Sequence, residues 1–336
     1  MTRGKRSTPR WLKALSVGVA VAAVAACSTP AAPSDDGTKA ERIGIVGFSD
    51  AVAQSNDILG AVGTAAEAEG WTYDFQNANP AGDAASANQL MQVMIQKGAT
   101  VLVVAYFDPD QLATGIAAAK AAGVPVLAMT AGKLSDGISW ASDIGYVPAV
   151  GDLIKENYKD SEKVEVLNLT YLPATPGQGR NRLLQDVAKA DPKFVLTDKD
   201  VPIPGAVQGG RDFTTAWLAT HPETPGVDLM IYAAFDQPAE GAVAALKQAG
   251  RTDVKIYSYD SSPAGLALMK EGYIVADIWN GPEQQSQQVL QAIKDVLSGK
   301  YTAEKPQLDP VAFTLITTDT LADFEAEHPE AFIATE

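Results

Sequence analysis

The sequence predicts an α/β protein built from two doubly wound, parallel-sheet lobes, and three observations carry that expectation. Short apolar runs alternate with helix-length segments from Arg42 onward. The runs are nearly continuous in Val, Ile, Leu and Ala, as strands covered on both faces require. Glycines stop the intervening helices, in Lys97-Gly98-Ala99, Ala122-Gly123-Val124 and Gln248-Ala249-Gly250.

The first series of strands is expected at 43–48, 71–76, 101–105, 124–129 and 139–143, and the second at 164–169, 194–201, 229–232, 255–259 and 274–278. Helices are expected at 51–69, 84–97, 111–122, 180–190, 210–220, 240–249 and 282–297. Strand–helix alternation gives a doubly wound sheet. Two such series in succession give two similar lobes, although no residue-level repeat is visible.

Ahead of this lies a different kind of sequence. Arg3, Lys5, Arg6, Arg10 and Lys13 form a basic start, residues 14–26 are small and apolar, and Val24-Ala25-Ala26-Cys27 follows. That is the layout of a secretory signal peptide. The apolar run of 13 residues is shorter than the roughly 20 that a membrane span needs. The ending resembles the lipobox of bacterial lipoproteins, in which the leader is cut before the cysteine and the thiol is acylated. Residues 1–26 are therefore expected to be a signal peptide and Cys27 the lipidated residue. Residues 27–40, rich in Ser, Thr, Pro, Ala and Asp, are expected to be a disordered tether. The mature protein would stand on the extracytoplasmic face of the cell membrane, held by its lipid alone.

Composition excludes several classes of function. Cys27 is the single cysteine, so no disulfide or thiolate metal site is available. The leader holds five basic residues and no acidic ones, so its removal takes the net charge from −15 to −20. Such a chain repels nucleic acid. The two histidines, His221 and His328, each precede a proline and read as helix-end punctuation rather than metal ligands. No glycine-rich dinucleotide fingerprint follows Ile43-Gly44-Ile45-Val46-Gly47, and no phosphate loop or Gly-x-Ser-x-Gly elbow is present. No cofactor, metal or catalytic constellation is expected, and an extracytoplasmic carbohydrate-active enzyme is a minor alternative.

In open α/β sheets, ligands bind beyond the carboxyl ends of the strands. The residues delivered there are Ser49-Asp50, Tyr106-Phe107-Asp108 and Thr130-Ala131-Gly132, then Thr170-Tyr171, Phe235-Asp236, Tyr259-Asp260 and Trp279-Asn280. An aromatic beside a carboxylate or amide recurs. Carbohydrate sites are built this way, with a ring face on C–H surface and planar polar groups on hydroxyls. Asp108, before Pro109, also suits a helix N-cap, the reading preferred for it. Ser262-Pro263 can cap the helix after Asp260, which leaves the Asp260 carboxylate free.

From Arg42 to about Thr317 the chain resembles the periplasmic binding proteins of the ribose-binding type, the receptors of ABC sugar importers. The resemblance rests on Ala121-Ala122-Gly123-Val124-Pro125-Val126, Ala141-Ser142-Asp143, Gly179-Arg180-Asn181-Arg182, Phe235-Asp236-Gln237-Pro238-Ala239-Glu240-Gly241-Ala242 and Ile256-Tyr257-Ser258-Tyr259-Asp260. It implies the type I fold, with a multi-crossing hinge joining an N-terminal lobe (40–144 plus 281–310) to a C-terminal lobe (145–280 plus 311–336). It also implies an arginine, Arg180, forked onto ligand oxygens, a carboxylate, Asp260, accepting from two hydroxyls, and an amide at Asn280.

The departures lie in the first lobe. The stacking phenylalanines fall on about Ala53 and Gln54, an Asp-Arg pair becomes Thr130-Ala131, and an asparagine becomes Phe235. Ribose specificity does not survive these changes. Phe48, Phe107, Trp140 or Phe235 are the candidates to replace the lost stacking surface. The expected contact set is Asp50, Phe107, Asp108, Thr130, Arg180, Phe235, Asp236, Asp260 and Asn280. The expected partners are a small sugar or polyol and the permease and ATPase of an importer. A sensory receptor of the same fold is the alternative.

Overall fold

The computed structural model describes residues 40–79, 82–143 and 145–333. Cys27, the leader and the tether lie outside the described residues. The chain first lays down β1 (Arg42–Gly47), α1 (Ala53–Ala68), β2 (Thr72–Asn77), α2 (Ala84–Gln96), β3 (Val101–Ala105), α3 (Ala113–Ala122), β4 (Val126–Met129) and β5 (Ile138–Asp143). It continues through α4 (Pro148–Asn157), β6 (Lys163–Thr170), α5 (Thr175–Ala190), β7 (Phe194–Asp200), α6 (Ala206–Leu218), β8 (Val227–Ala233), α7 (Asp236–Ala249), β9 (Lys255–Tyr257), α8 (Pro263–Lys270) and β10 (Ile274–Trp279). Then come α9 (Pro282–Leu297), β11 (Gln307–Pro310), β12 (Thr314–Thr317) and α10 (Leu321–Glu327).

Two six-stranded sheets result, ordered β11-β5-β4-β3-β1-β2 and β12-β10-β9-β8-β6-β7. Every pairing is parallel except β10 with β12. The α/β architecture expected from the sequence is present.

Burial explains the apolar strands. Every residue of β3 is inaccessible, because α1 and α9 cover one face of the first sheet and α2 and α3 the other. In the second sheet Val164, Val166 and Met230 pack toward α4 and α5, while Leu167, Leu169 and Ile231 face α6, α7 and α8. The glycine stops behave as expected: Gly123 and Gly250 cap α3 and α7 in the left-handed conformation that an L-residue with a Cβ resists.

The sequence reading missed α4, β11 and β12. The two strands are four-residue edge strands, too short for a periodicity to register. In α4, Gly151 interrupts the apolar pattern, and a Cβ there would meet Leu183 of α5 at 3.2 Å. Helix α5 also begins at Thr175, five residues before the expected start. Its glycines lower helix propensity but permit close packing: a Cβ on Gly177 would collide with the Tyr171 carbonyl oxygen, and one on Gly179 would sit 2.6 Å from the Gly145 carbonyl carbon. That approach sets the position of the next residue, Arg180.

Candidate functional site

A cleft of about 580 Å³, open solvent at its mouth included, lies where the carboxyl ends of the two sheets face each other. Residues following β1, β3, β6, β8, β9 and β10 line it: Phe48, Tyr106, Tyr171, Phe235, Asp260 and Asn280. The first turn of α1 adds Gln54 and Ser55, and the second turn of α5 adds Arg180.

The two halves touch across it. Gln54 Nε2 donates to Asn280 Oδ1 at 2.9 Å, and Gln237 Nε2 to the Ala51 carbonyl at 3.2 Å. Thr175 Oγ1 donates to the Thr130 carbonyl at 2.6 Å, and the Thr175 amide to the Tyr106 carbonyl at 3.2 Å. Phe48 meets Tyr171 edge to face at 5.9 Å, and Tyr171 meets Phe235 at 6.5 Å.

Arg180 lines the cleft yet is drawn almost completely inside, with 3 % exposure. Its two terminal nitrogens donate to the Asp260 oxygens at 2.7 Å each, one also donates to the Ala234 carbonyl, and the guanidinium lies 4.4 Å above the Tyr259 ring. Burial works against its charge, but the Asp260 carboxylate outweighs burial and raises the guanidinium's pKa. Arg180 Nε is buried with no protein partner. A buried donor without an acceptor is unfavourable.

The backbone around the cleft is held in sparsely populated conformations. Tyr106, Thr130 and Asp260 have φ of 71°, 53° and 76°, in the left-handed region, and only one other described non-glycine residue, Asn79, joins them. Such residues cost about 1–3 kcal/mol each and cluster where side chains must be aimed. Asp260 is held there by its amide, which donates to the Ile278 carbonyl at 2.8 Å and extends the β9–β10 pairing beyond the end of β9.

Of the nine expected contact residues, the structure brings Arg180, Phe235, Asp260 and Asn280 to the cleft wall. Asp50 is exposed and accepts from Asn77 Nδ2 at 2.6 Å. Phe107 is buried behind Phe48, ring centroids 5.1 Å apart. Asp108 accepts from the Asp110 amide at 3.0 Å, capping a short 3-10 turn, and pairs with Lys133 at 2.8 Å. Thr130 is buried and spends its hydroxyl on the Met129 carbonyl at 2.8 Å. Asp236 stands one residue behind Phe235, where it accepts from the Gln237 amide at 2.8 Å.

One expectation is corrected outright. Ser262 does cap α8, but Asp260 is not left free, because Arg180 holds both of its oxygens. Among the stacking candidates, Phe48 and Phe235 line the cleft, whereas Trp140 is buried and donates to Asp309 Oδ2 at 2.7 Å. Tyr106, Tyr171, Gln54 and Ser55 were not foreseen as contacts. The two tyrosines did stand among the strand-end residues, so position alone could have found them.

Behind the cleft wall lies a buried acid pair. Asp277 on β10 accepts from the Ser261 amide at 3.2 Å through Oδ1, while its Oδ2 has no partner. Burial, followed by repulsion from Asp236, pushes its pKa up to about 8. Burial also takes Asp236 up to about 7, with Asp260 and Glu240 adding to the rise. Among the described residues no group of three acidic, histidine or cysteine side chains is placed to hold a metal ion.

Comparison with known proteins agrees with this arrangement. The periplasmic binding protein domain family matches residues 55–301. The ribose import binding protein of Salmonella typhimurium is 27 % identical over 241 residues, covering 70 % of this chain and 77 % of that protein. The D-galactose/methyl-galactoside binding periplasmic protein of Haemophilus influenzae is 23 % identical over 261 residues, 70 % of this chain and 78 % of its own. An ABC transporter solute binding protein from Agrobacterium vitis, solved with bound allitol, superposes with a TM-score of 0.75 at 25 % identity, covering 86 % of this chain and 99 % of that one. One from Mycobacterium smegmatis with bound glycerol has the same fold, with a TM-score of 0.72 at 21 % identity over 85 % of this chain and 96 % of its own. With two parallel-dominated sheets, a cleft at their facing carboxyl ends and a family match over most of its length, this chain belongs to the periplasmic binding proteins of type I.

Proposed function

We propose that the protein is an extracytoplasmic solute-binding lipoprotein that closes two lobes over a small sugar or polyol and delivers it to an ABC importer. The observation that carries this reading is the buried Arg180–Asp260 fork set among Phe48, Tyr106, Tyr171 and Phe235 in a cleft between the two sheets. Planar charged groups satisfy hydroxyls, and aromatic faces accept the C–H surface of a polyol or ring. The relatives support it, one being a ribose import binding protein and two being solute binding proteins holding allitol and glycerol. The protein acts by binding and not by turnover.

The lobes are residues 40–144 with 281–310, and 145–280 with 311–336. Strand β11 joining the first sheet and β12 the second gives the chain three passages between them. A ligand that contacts both lobes stabilises the closed form, and the permease reads that form. Binding is tested by a thermal-shift screen of sugars and polyols, in which a ligand at about 100 times its Kd adds about 2.7 kcal/mol. Closure is tested by small-angle scattering, with a smaller radius of gyration expected in the presence of the ligand. An unchanged scattering profile, with binding confirmed by calorimetry, would show a rigid site.

The anchor is Cys27. Cys27→Ser is expected to abolish labelling by a radioactive fatty acid and to release or misprocess the protein. Label retained on the Cys27→Ser protein would overturn the lipoprotein assignment.

A further inference from the structure

Arg180 is gripped from behind the cleft wall by two tyrosines that do not themselves line the cleft. Tyr232 on β8 and Tyr259, two residues past β9, are 1 % and 0 % exposed. Their hydroxyls lie 2.6 Å apart, and the Tyr232 hydroxyl donates to the Arg180 main-chain carbonyl at 3.2 Å. Burial raises the pKa of both phenols, so each keeps its single proton. Tyr232 spends that proton on the carbonyl, so Tyr259 must donate to Tyr232. The relay therefore runs in one direction, from Tyr259 to Tyr232 to the backbone of Arg180. It also closes on itself, because the Tyr259 ring lies 4.4 Å beneath the Arg180 guanidinium. The terminal nitrogens of that guanidinium are held by Asp260, the next residue in the chain. Consecutive residues thus hold the guanidinium by its face and by its edge, and the relay ties the ring to the helix that carries the arginine.

We propose that Tyr232 and Tyr259 are positioning residues that set the ligand affinity of the cleft through Arg180, without touching the ligand. This inference rests on the reading of Arg180 as a ligand contact. A guanidinium stripped of its stacking face regains rotamer freedom that binding must remove again. The direction of the relay adds a signature of its own. Tyr232→Phe strands the Tyr259 hydroxyl as a buried donor without an acceptor, whereas Tyr259→Phe leaves only an unused acceptor on Tyr232. Tyr232→Phe should therefore lower the melting temperature more than Tyr259→Phe, and the double phenylalanine variant should recover part of the loss.

Calorimetry with the tightest binder among allitol, D-ribose, D-galactose and D-glucose reads the affinity. The Arg180 Nε–H resonance, identified by its absence from Arg180→Met, reads the position of the guanidinium over the ring. Tyr259→Leu is expected to weaken binding about tenfold and to shift that resonance as the ring current is lost. Tyr259→Phe, which keeps the ring, should restore the resonance and most of the affinity. Tyr232→Phe should weaken binding by about two- to tenfold. In the Arg180→Met background neither Tyr259→Leu nor Tyr232→Phe should cost further affinity. Wild-type affinity with an unmoved resonance in both variants overturns the proposal, as does an equal loss of affinity with and without Arg180. Should Tyr259→Leu fail to fold, Tyr232→Phe carries the same test. If no member of the panel binds the wild type, the sugar reading falls, and the resonance decides the positioning of Arg180 alone.

Discussion

Asp260→Asn and Arg180→Met are each expected to weaken ligand binding by ten- to a hundredfold or more. A hydrogen bond to a charged group in a desolvated site contributes roughly 1.5–3 kcal/mol, and each 1.4 kcal/mol is about a decade in affinity. Asparagine is the better probe at position 260, because φ there is 76° and asparagine tolerates the left-handed region where alanine is strained. The fold responds asymmetrically. Removing the Asp260 charge leaves a guanidinium that is 3 % exposed without its counter-ion, whereas removing Arg180 leaves a carboxylate that is 17 % exposed and can draw on solvent. Breaking a buried pair from the side that strands the buried charge costs about 3–5 kcal/mol. Asp260→Asn should therefore melt below Arg180→Met, and the double variant should recover part of that loss while still failing to bind. Asp108→Ala serves as the control, losing about 1 kcal/mol of cap stability with affinity unchanged. Near-native affinity in both Asp260→Asn and Arg180→Met would place recognition outside this fork.

The elements that were legible in the sequence are those whose physics is local. Val101 to Ala105 is buried along its whole length, so its apolar run announces a covered parallel strand. Gly123 and Gly250 announce helix ends because the left-handed conformation selects glycine wherever it occurs. The rule that ligands bind at strand carboxyl ends also holds here, since six of the cleft residues stand there. What could not be read was the choice among strand-end residues. Whether Asp108 or Asp260 faces the cleft depends on partners distant in sequence: Lys133 holds the first and Arg180 the second. The Gln54–Asn280 bond spans 226 residues, and no local pattern encodes it. Strands β11 and β12 escaped because a four-residue edge strand is specified by the strand it pairs with rather than by its own composition.

Between pH 8 and pH 5 the protein is expected to become more stable on acidification, opposite to the behaviour of a fold held by exposed ion pairs. Asp277 and Asp236 have folded-state pKa values of about 8 and about 7, against about 3.9 for an aspartate in an unfolded chain. In this window the folded state keeps protons that the unfolded state has lost, so stability falls as pH rises. Each fully retained proton contributes a slope of roughly 1.4 kcal/mol per pH unit. Glu240, raised by burial, acts in the same direction. The groups facing Asp277 are Asp236 from α7, and Tyr259, Asp260 and Ser261 from the turn before α8, with no cation among the causes that shift it. The carboxylates that hydrogen bonds hold low, Asp74, Asp110, Asp253 and Asp295, stay ionised throughout the window and add no slope. Their stabilising contribution is lost only as pH falls below about 4. Asp277→Asn removes one ionisation at nearly constant shape, so it should raise the melting temperature at pH 8 and flatten its pH dependence. The wild-type rise between pH 8 and pH 5 should be on the order of 5 °C or more. Melting curves of the two proteins at pH 5, 6, 7 and 8 decide the matter. A wild-type profile that is flat or falls toward pH 5, or an Asp277→Asn profile as steep as the wild type, would show that Asp277 is already ionised in the fold.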